Sequence, residues 1–261
     1  MRRAPLFLLL VPALAVSAGA GSALQRPLPE GMVRIEGGSY RPLYVQPGET
    51  QVQVESFLLD ARPVTRGEYE QFLVRHSRWQ RGAVPGLFAD DGYLRDWESP
   101  TSAGETVPKD APVTHVSWFA ARSYCAARGG RLPTTAEWEY VALADERRRD
   151  ASEADGFLKR VLELTLQRGA TRAGAGFRNV WGVYAMHGGV MEWVSDFQSV
   201  FAGSDSRVGE RREGQLTCAG GATATGDARD YAAFLRYAWR ATVDARTTTG
   251  SLGFRCAGDL Q

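Results

Sequence analysis

Two helix-start signals of the same kind limit the folds that this chain can adopt. Thr65 is followed three residues later by Glu68, and Thr134 is followed in the same way by Glu137. In such a capping box the threonine and the glutamate each accept a hydrogen bond from a free backbone amide at the helix start. The first helix is predicted to end near His76. We therefore expect short helices in a chain without a long run of helical hydrophobic periodicity.

Two further helices are predicted from caps and spacing. Ser117 can cap a helix that stops at the pair Gly129 and Gly130, where a glycine favours the left-handed conformation that ends helices. Between Ala151 and Gln167, apolar residues recur at helical spacing among charged ones. This pattern is typical of an amphipathic helix.

Short strands are predicted on both sides of these helices. Two ranges, Gly31 to Tyr44 and Thr50 to Leu59, contain either alternating apolar and polar residues or short continuous apolar segments. A turn around Pro47 is predicted to join them. The later segments RNVWGVYAMHGGVMEWVSDF, LTCAGGATA and SLGFRCA are rich in glycine, aromatic and β-branched residues, which suits short strands and tight turns. We therefore expect one α+β domain with few regular elements and no internal repeat.

The N-terminus has the pattern of an export signal. Arg2 and Arg3 are followed by an apolar segment from Leu6 to Val16 and by the small residues Ala18-Gly19-Ala20. This order is typical of a signal peptide, here residues 1–20, with residues 21–261 as the exported domain. The alternative is an uncleaved anchor. Cleavage after Ala20 would place the domain in the periplasm.

The composition excludes several classes of function. The 31 Lys and Arg residues balance 30 Asp and Glu, which gives no electrostatic reason to expect a nucleic-acid partner. Hydrophobic residues make up 44% of the chain, as in a globular protein with a core. The three cysteines, Cys125, Cys218 and Cys256, allow one disulfide at most, and their spacing leaves the pairing open. Without a Cys/His cluster, a structural zinc site is not expected.

The stretch from Arg78 to Pro112 is a candidate surface for binding a protein partner. It is rich in glycine and proline and lacks periodicity, which predicts a long excursion over the surface. Its large apolar side chains would be exposed anchors of the kind that carry interface energy, unless they fold back to cover the core. They are Trp79, Leu87, Phe88, Tyr93 and Trp97. The loop from Thr223 to Asp230 is the second candidate surface.

Five segments resemble the formylglycine-generating enzyme family, also called the sulfatase-modifying factor family. They are GMVRIEGGSY, PVTRGEYEQFL, APVTHVSWFAARSYCAARGGRLPTTAEWEY, NVWGVYAMHGGVMEWV and GFRCA, in the family's order and approximate spacing. The resemblance implies an irregular variant of the C-type lectin-like fold. It also implies a disulfide between Cys125 and Cys256, because exported members carry a bridge at the matching positions. The motif glycines and tryptophans can equally be read as residues that hold a turn-rich core together.

The resemblance breaks where the family's catalytic thiols should be. The oxygen-dependent enzymes of the family use two reactive cysteines, which bind copper, just after a Gly-Gly pair that matches Gly220 and Gly221. This chain has no cysteine between Gly221 and Arg255, and the two thiols would fall near Thr225 and near Asp230 to Ala232. A threonine hydroxyl cannot replace a thiolate on a soft metal. Copper-dependent formylglycine chemistry is therefore not expected.

The resemblance also implies a calcium site. The matching ligands are the backbone carbonyls of Gly188 and Val190 and the carboxylate of Glu192, whereas the family's side-chain ligand falls on Ala185, which offers no oxygen. Calcium takes six to eight oxygens, so the loss of one lowers its affinity. The alternative is that Glu192 is an ordinary ion-pairing residue.

Two functions remain open at this point. The first is a catalytically silent periplasmic regulator, similar to the family member that promotes activation of a membrane Ser/Thr kinase controlling type VI secretion. The second is a maturation enzyme or accessory factor with non-cysteine chemistry, as in the branches linked to siderophore chromophores and nitrite reductase. The second requires a base in the cleft, for which Tyr231 and Tyr237 are candidates.

Overall fold

A computed structural model describes residues 30–43, 50–166, 172–197 and 231–260. Within these residues three short β-sheets form. The first has three antiparallel strands in the order β1, β4, β7, in which Val33 lies opposite Leu59 and Leu59 lies opposite Ala257. The other two sheets each have two strands, β2 with β3 and β5 with β6. The strands are β1 Met32–Ile35, β2 Gly38–Tyr40, β3 Val52–Val54, β4 Phe57–Asp60, β5 Met191–Glu192, β6 Leu252–Gly253 and β7 Ala257–Asp259.

Three helices begin where the sequence predicts them. Both capping boxes are confirmed: Thr65 and Thr134 cap α1 and α3, and Ser117 caps α2. The amphipathic helix α4 lies inside the predicted range, whereas α5 was not predicted. The helices are α1 Arg66–Arg75, a 3-10 turn Ser77–Trp79, α2 Trp118–Ala127, α3 Thr135–Ala142, α4 Phe157–Leu166 and α5 Tyr231–Arg240.

Aromatic packing and one disulfide join the helices to the sheet. The ring of Tyr69 on α1 stacks on Tyr124 of α2 with 5.7 Å between centroids, and Phe254 packs edge-on against Tyr124 at 5.3 Å. Cys125 and Cys256 form the expected disulfide, whose sulfur atoms lie 2.02 Å apart. The disulfide thereby links the residue before strand β7 to α2.

The excursion from Arg78 to Pro112 corrects one expectation. It contains no helix or strand beyond the 3-10 turn, as predicted, but Trp79, Tyr93 and Trp97 are buried. The Tyr93 hydroxyl donates to the carbonyl of Trp79 over 2.8 Å and hydrogen-bonds the Tyr69 hydroxyl at 2.8 Å. These three side chains fold back onto the core, where the polar atoms of Trp79 and Tyr93 find partners and the Trp97 ring packs edge-on against Tyr69, so they are not exposed anchors. Of the five large apolar side chains predicted as anchors, only Leu87 and Phe88 lie at the surface.

Several predicted features lie outside the described residues. These are the signal peptide, the turn around Pro47, Cys218 and the loop from Thr223 to Asp230. Among the residues that the structure does describe, no helix is long and apolar enough to cross a membrane. The turn-rich sequence from Arg178 to Val190 forms bends and an isolated bridge between Arg178 and Tyr184, in keeping with its glycine content.

Candidate functional site

A buried ion cluster joins α3 to α5. The carboxylate of Glu139 accepts a hydrogen bond from Nε of Arg236 over 3.0 Å and from Nη1 of Arg240 over 2.9 Å. All three side chains are at least nine-tenths buried. The guanidinium carbons of Arg236 and Arg240 lie 5.3 and 5.1 Å from the ring centroid of Trp138, where a cation is attracted to the aromatic face.

The two arginines set the charge of this cluster. Although burial opposes ionisation, the adjacent guanidiniums lower the pKa of Glu139 to about 2, so its carboxylate is ionised at neutral pH. Two arginines and one glutamate give this cluster, counted over the described residues, one guanidinium more than carboxylates. Nη1 of Arg236 and Nε of Arg240 are buried and have no hydrogen-bond partner among the described residues.

A cavity of about 70 Å³ opens beside this cluster. Four buried polar residues line the cavity: Glu139, Arg236, His187 and Tyr237. Three exposed charged residues also line it: Arg41, Asp150 and Glu153. The remaining walls are mostly apolar and come largely from α3, α4 and α5, with Leu43 from the segment after β2. Their apolar residues are Leu43, Ala142, Leu143, Phe157, Leu158, Val161, Ala232 and Ala233.

Two titratable groups of the cavity, His187 and Tyr237, are held neutral. Burial, helped by the charge of Arg236, lowers the pKa of His187 to about 3, and its Nε2 lies 2.7 Å from the carbonyl oxygen of Ala142. Burial and the charge of Glu139 raise the pKa of Tyr237 well above its ordinary value. A phenol in this state is a poor general base near neutral pH. Tyr231 is partly exposed and does not line the cavity.

The described residues hold no free thiol at this site. Ala232, within the range where the resemblance puts the second reactive cysteine, lines the cavity from the first turn of α5. Cys125 and Cys256 are fully buried and joined to each other. Among these residues there is also no group of three or more histidine, cysteine or acidic side chains placed to hold a metal.

Glu192 lies in a second buried ion pair. Its two carboxylate oxygens accept from Nε and Nη2 of Arg255 over 2.7 and 2.8 Å, and one of them also accepts from Trp138 over 2.8 Å. Nη2 of Arg255 further donates to the carbonyls of Tyr184 and Ala185. With a guanidinium already bound to the carboxylate, the residues present fit a calcium ion poorly, because it needs six to eight oxygens. Calcium binding at Gly188, Val190 and Glu192 remains a prediction from the resemblance.

An exposed apolar area, the Phe88 patch, consists of Leu87, Phe88 and Phe119. Leu87 is 72% exposed and Phe88 is 37% exposed. The Phe88 ring packs edge-on against Phe119 with 5.4 Å between centroids and against Trp79 at 6.3 Å. The exposed guanidinium of Arg78 lies 5.5 Å from the Trp79 ring centroid at the edge of this patch.

The ion cluster at Glu139 was not predicted from the sequence. Arg236 and Arg240 are four residues apart and so share one face of a helix, together with Tyr237, in the segment YAAFLRYAWR. That spacing could have indicated a helix with two cations on a buried face. It could not have indicated Glu139, which lies 97 residues from Arg236 along the chain.

Comparison with known proteins identifies the family. The model of the sulfatase-modifying factor enzyme 1-like domain matches residues 20–260. The chain therefore belongs to the sulfatase-modifying factor family, to which formylglycine-generating enzymes belong. It is 25% identical to the formylglycine-generating enzyme of Bos taurus, over 89% of this chain and 74% of the relative.

Two further proteins resemble the chain. It is 28% identical to the inactive C-alpha-formylglycine-generating enzyme 2 of Bos taurus, and the match covers 87% of both chains. Among solved structures, PvdO from Pseudomonas aeruginosa matches with a TM-score of 0.44 and 17% identity, over 88% of this chain and 94% of that one.

Proposed function

We propose that this chain is a catalytically silent member of the sulfatase-modifying factor family that acts in the periplasm by binding a protein. The observation that carries the proposal is the fate of the thiols. Two of the three cysteines form a buried disulfide, and the sequence has no cysteine at the positions that match the reactive pair. Similarity along 87% of the chain to a relative named as inactive supports the same proposal.

The Phe88 patch is the proposed contact surface. Exposed apolar side chains that are packed on a rigid base can bury area against a partner without a large loss of conformational entropy. Phe88 has such a base in Trp79 and Phe119, and Trp79 is itself held by a hydrogen bond of 2.8 Å from its Nε1 to Ser123. Leu87 would then be the most exposed anchor.

The surroundings of the patch favour a partner with acidic groups beside an apolar segment. Arg78 is exposed at one edge, and Arg122 is exposed on α2, where its guanidinium carbon lies 5.4 Å from the Trp118 ring centroid. Complementary charges at the edge of an interface raise the association rate and fix its orientation. We propose that the partner is the periplasmic part of a membrane Ser/Thr kinase that controls type VI secretion, and that binding promotes activation of the kinase.

Calorimetric titration against the purified periplasmic part of that kinase tests the proposal. Leu87→Ala and Phe88→Ala should each weaken binding by about 2 kcal/mol, or about thirtyfold, with a nearly unchanged melting temperature. Arg78→Glu combined with Arg122→Glu should lower the association rate and reduce its dependence on salt.

Val180→Ala is the matched control for this titration. Val180 is 44% exposed and lies outside the Phe88 patch, so its truncation should leave the affinity unchanged. If the wild-type protein fails to bind the kinase, the partner is wrong. If it binds and the two patch variants bind equally well, the contact surface is wrong.

The proposed lack of catalytic activity is tested separately. The purified protein should neither bind Cu(I) in stoichiometric amount nor oxidise a cysteine in a sulfatase-type peptide, because soft metals need thiolate ligands that the site lacks. Copper binding that is lost in Cys218→Ser would contradict the proposal, since it would show that the remaining thiol forms a metal site.

A further inference from the structure

A loop of residues 244–248 is bonded to both parts of the chain that carry the Phe88 patch. The first part is the start of α2. The carbonyl oxygen of Ala245 accepts a hydrogen bond from the backbone amide of Trp118 over 3.0 Å. Trp118 is the first residue of α2 and directly precedes Phe119, which belongs to the patch. The loop therefore fixes the start of the helix that carries Phe119.

The same loop also holds the segment that carries Leu87 and Phe88. Nη1 of Arg246 donates to the carbonyl oxygen of Gly86 over 3.4 Å. The carbonyl oxygen of Arg246 accepts from the amide of Asp90 over 3.0 Å. Leu87 and Phe88 lie in the sequence between these two points of attachment. Both exposed side chains of the patch are thus carried by a short segment that is attached on either side of them.

The carboxylate of Asp90 makes the strongest of these attachments. Its Oδ2 accepts from the amide of Thr248 over 3.0 Å, and its Oδ1 accepts from the Thr248 hydroxyl. Oδ1 also accepts from the amide of Gly92 over 2.9 Å. Hydrogen bonds to an ionised carboxylate are stronger than those between neutral groups. We call Asp90, Gly92 and Thr248 the Asp90 clasp.

Gly92 allows the two sides of the clasp to lie close together. A Cβ atom at this position would lie 2.6 Å from Oγ1 of Thr248 and 3.0 Å from the carbonyl oxygen of Thr248. Gly92 does not have a positive φ, so the close contact, and not the backbone conformation, requires a glycine.

The loop 244–248 is itself held in place. Oδ1 of Asp244 accepts from the amide of Arg246 over 2.7 Å, which closes a tight turn within the loop. Helix α5 ends shortly before the loop at Arg240, whose guanidinium is bound to the buried carboxylate of Glu139. The clasp therefore ties the Phe88 patch to a part of the chain that is anchored in the interior.

We propose that Asp90 and Thr248 are positioning residues that set the affinity of the Phe88 patch for its protein partner. They act through Leu87 and Phe88, by holding the segment from Gly86 to Asp90 in the conformation that the partner binds. A segment that is ordered before binding loses less conformational entropy on binding, which favours affinity. The inference rests on the proposed function for the partner, but the order of the segment can be measured without one.

Hydrogen exchange of the free protein is the first test. The reporter is the amide of Phe88, which donates to the carbonyl oxygen of Pro85 over 2.8 Å and takes no part in the clasp. Thr248→Val removes the hydroxyl at nearly constant volume and should accelerate exchange of this amide about fivefold, as expected for the loss of one hydrogen bond. Thr248→Ser keeps the hydroxyl and should exchange as the wild type does. An unchanged rate in Thr248→Val overturns the proposal.

The acceleration should be local. Amides of α3 should keep their wild-type exchange rates in Thr248→Val, because the lost bond lies outside that helix. Equal acceleration in α3 would show a general loss of stability and would contradict a positioning role.

Titration against the periplasmic part of the kinase is the second test. Thr248→Val should weaken binding about fivefold, and Asp90→Ala, which removes every bond of the carboxylate, about tenfold or more. The double variant should bind no more weakly than Asp90→Ala, since the hydroxyl then has no carboxylate to bind. Additive losses would show that the two residues act separately and would overturn the proposal.

Asp145→Asn is the matched control for both tests. Oδ1 of Asp145 likewise accepts from two backbone amides, those of Arg147 and Arg148, over 2.7 and 2.6 Å, and Asp145 shares no residue with the clasp. Its exchange rate at Phe88 and its affinity for the kinase should equal those of the wild type.

Gly92→Ala provides a test that removes no polar group. The added methyl group should force Thr248 away from Gly92, and so accelerate exchange at Phe88 and weaken kinase binding even if Asp90→Ala fails to fold. Faster exchange at Phe88 with unchanged kinase affinity would overturn the positioning role. If the wild-type protein does not bind the kinase, the proposed function fails, and the exchange rates still support or contradict the clasp as the element that orders the patch.

Discussion

Two buried glutamates of this protein form ion pairs with different numbers of arginines. Glu192 faces one guanidinium, that of Arg255, and both side chains are completely buried. Glu139 faces two, so the first pair is neutral and the second cluster is cationic. Trp138 lies between them, donating to Glu192 and stacking on the arginines that bind Glu139. The first pair therefore has equal numbers of carboxylates and guanidiniums, whereas the second has one guanidinium more.

At the residue scale, His187 should make stability depend on pH. Its pKa in the folded protein is about 3, whereas an unfolded chain binds the proton near the ordinary value of 6.5. Because the unfolded state binds more protons between these values, the free energy of unfolding falls as the pH drops from 6.5 toward 3. One such proton contributes a slope of at most about 1.4 kcal/mol per pH unit.

Urea unfolding of wild type and His187→Gln across this pH range measures the effect. Glutamine cannot take up the proton, so the variant should lose this part of the slope while it keeps a donor for the carbonyl of Ala142. Burial also lowers the pKa of His115, but that group is present in both proteins and cancels in the difference. Parallel curves for the two proteins would contradict the assignment.

At the scale of elements, the glycine turn before β5 is fixed by its contact with α4. Gly188 has a φ of 83°, and a Cβ atom there would lie 2.5 Å from the carbonyl oxygen of Leu164. Gly129, at the end of α2, has a nearly equal φ of 78° but open space around it. The two glycines therefore share the backbone requirement and differ in their contacts.

Gly188→Ala should destabilise the protein more than Gly129→Ala does. The left-handed conformation costs an alanine about 1 to 2 kcal/mol at either site. At Gly188 the clash with a backbone atom should add about 1 to 3 kcal/mol, since the carbonyl cannot rotate away as a side chain could. Melting temperatures of the two variants measure the difference. Equal losses would indicate that α4 moves freely away from the turn.

The helices show why some elements can be predicted and others cannot. The start of α3 depends on Thr134 and Glu137, which are three residues apart and satisfy each other's backbone in any context. Helix α5 has no comparable start signal among its first described residues. Its buried face includes Phe234, Arg236 and Tyr237. An arginine on that face interrupts the apolar pattern by which an amphipathic helix is predicted, and its burial is explained only by its ion pair with Glu139.

At the scale of the whole molecule, the disulfide should be the largest single contribution to stability. Cys125 and Cys256 are separated by 131 positions, and the chain-entropy estimate for closing so long a loop is about 4 to 5 kcal/mol, an upper value. The double variant Cys125→Ala with Cys256→Ala should lose much of this free energy of unfolding. Urea denaturation without reductant measures the loss.

Peptide mapping of the unreduced protein is the matching check on the pairing. It should recover a peptide pair joined through Cys125 and Cys256, with Cys218 as a free thiol. Both bridged cysteines are completely buried, so reductant should open the bond only after the chain has locally unfolded. Recovery of Cys218 in a bridge with either partner would contradict the structure.

By itself the sequence determined the features that depend on neighbouring residues: the starts of α1, α2 and α3, the lack of the reactive thiol pair and the resemblance that names the family. The tertiary structure decided that Trp79, Tyr93 and Trp97 are core residues, and it brought Arg236 to Glu139 across 97 residues. The physical reason is the separation along the sequence between the residues that interact. A cap satisfies its own backbone within one turn, whereas burial and ion pairing depend on which distant surface the chain folds against.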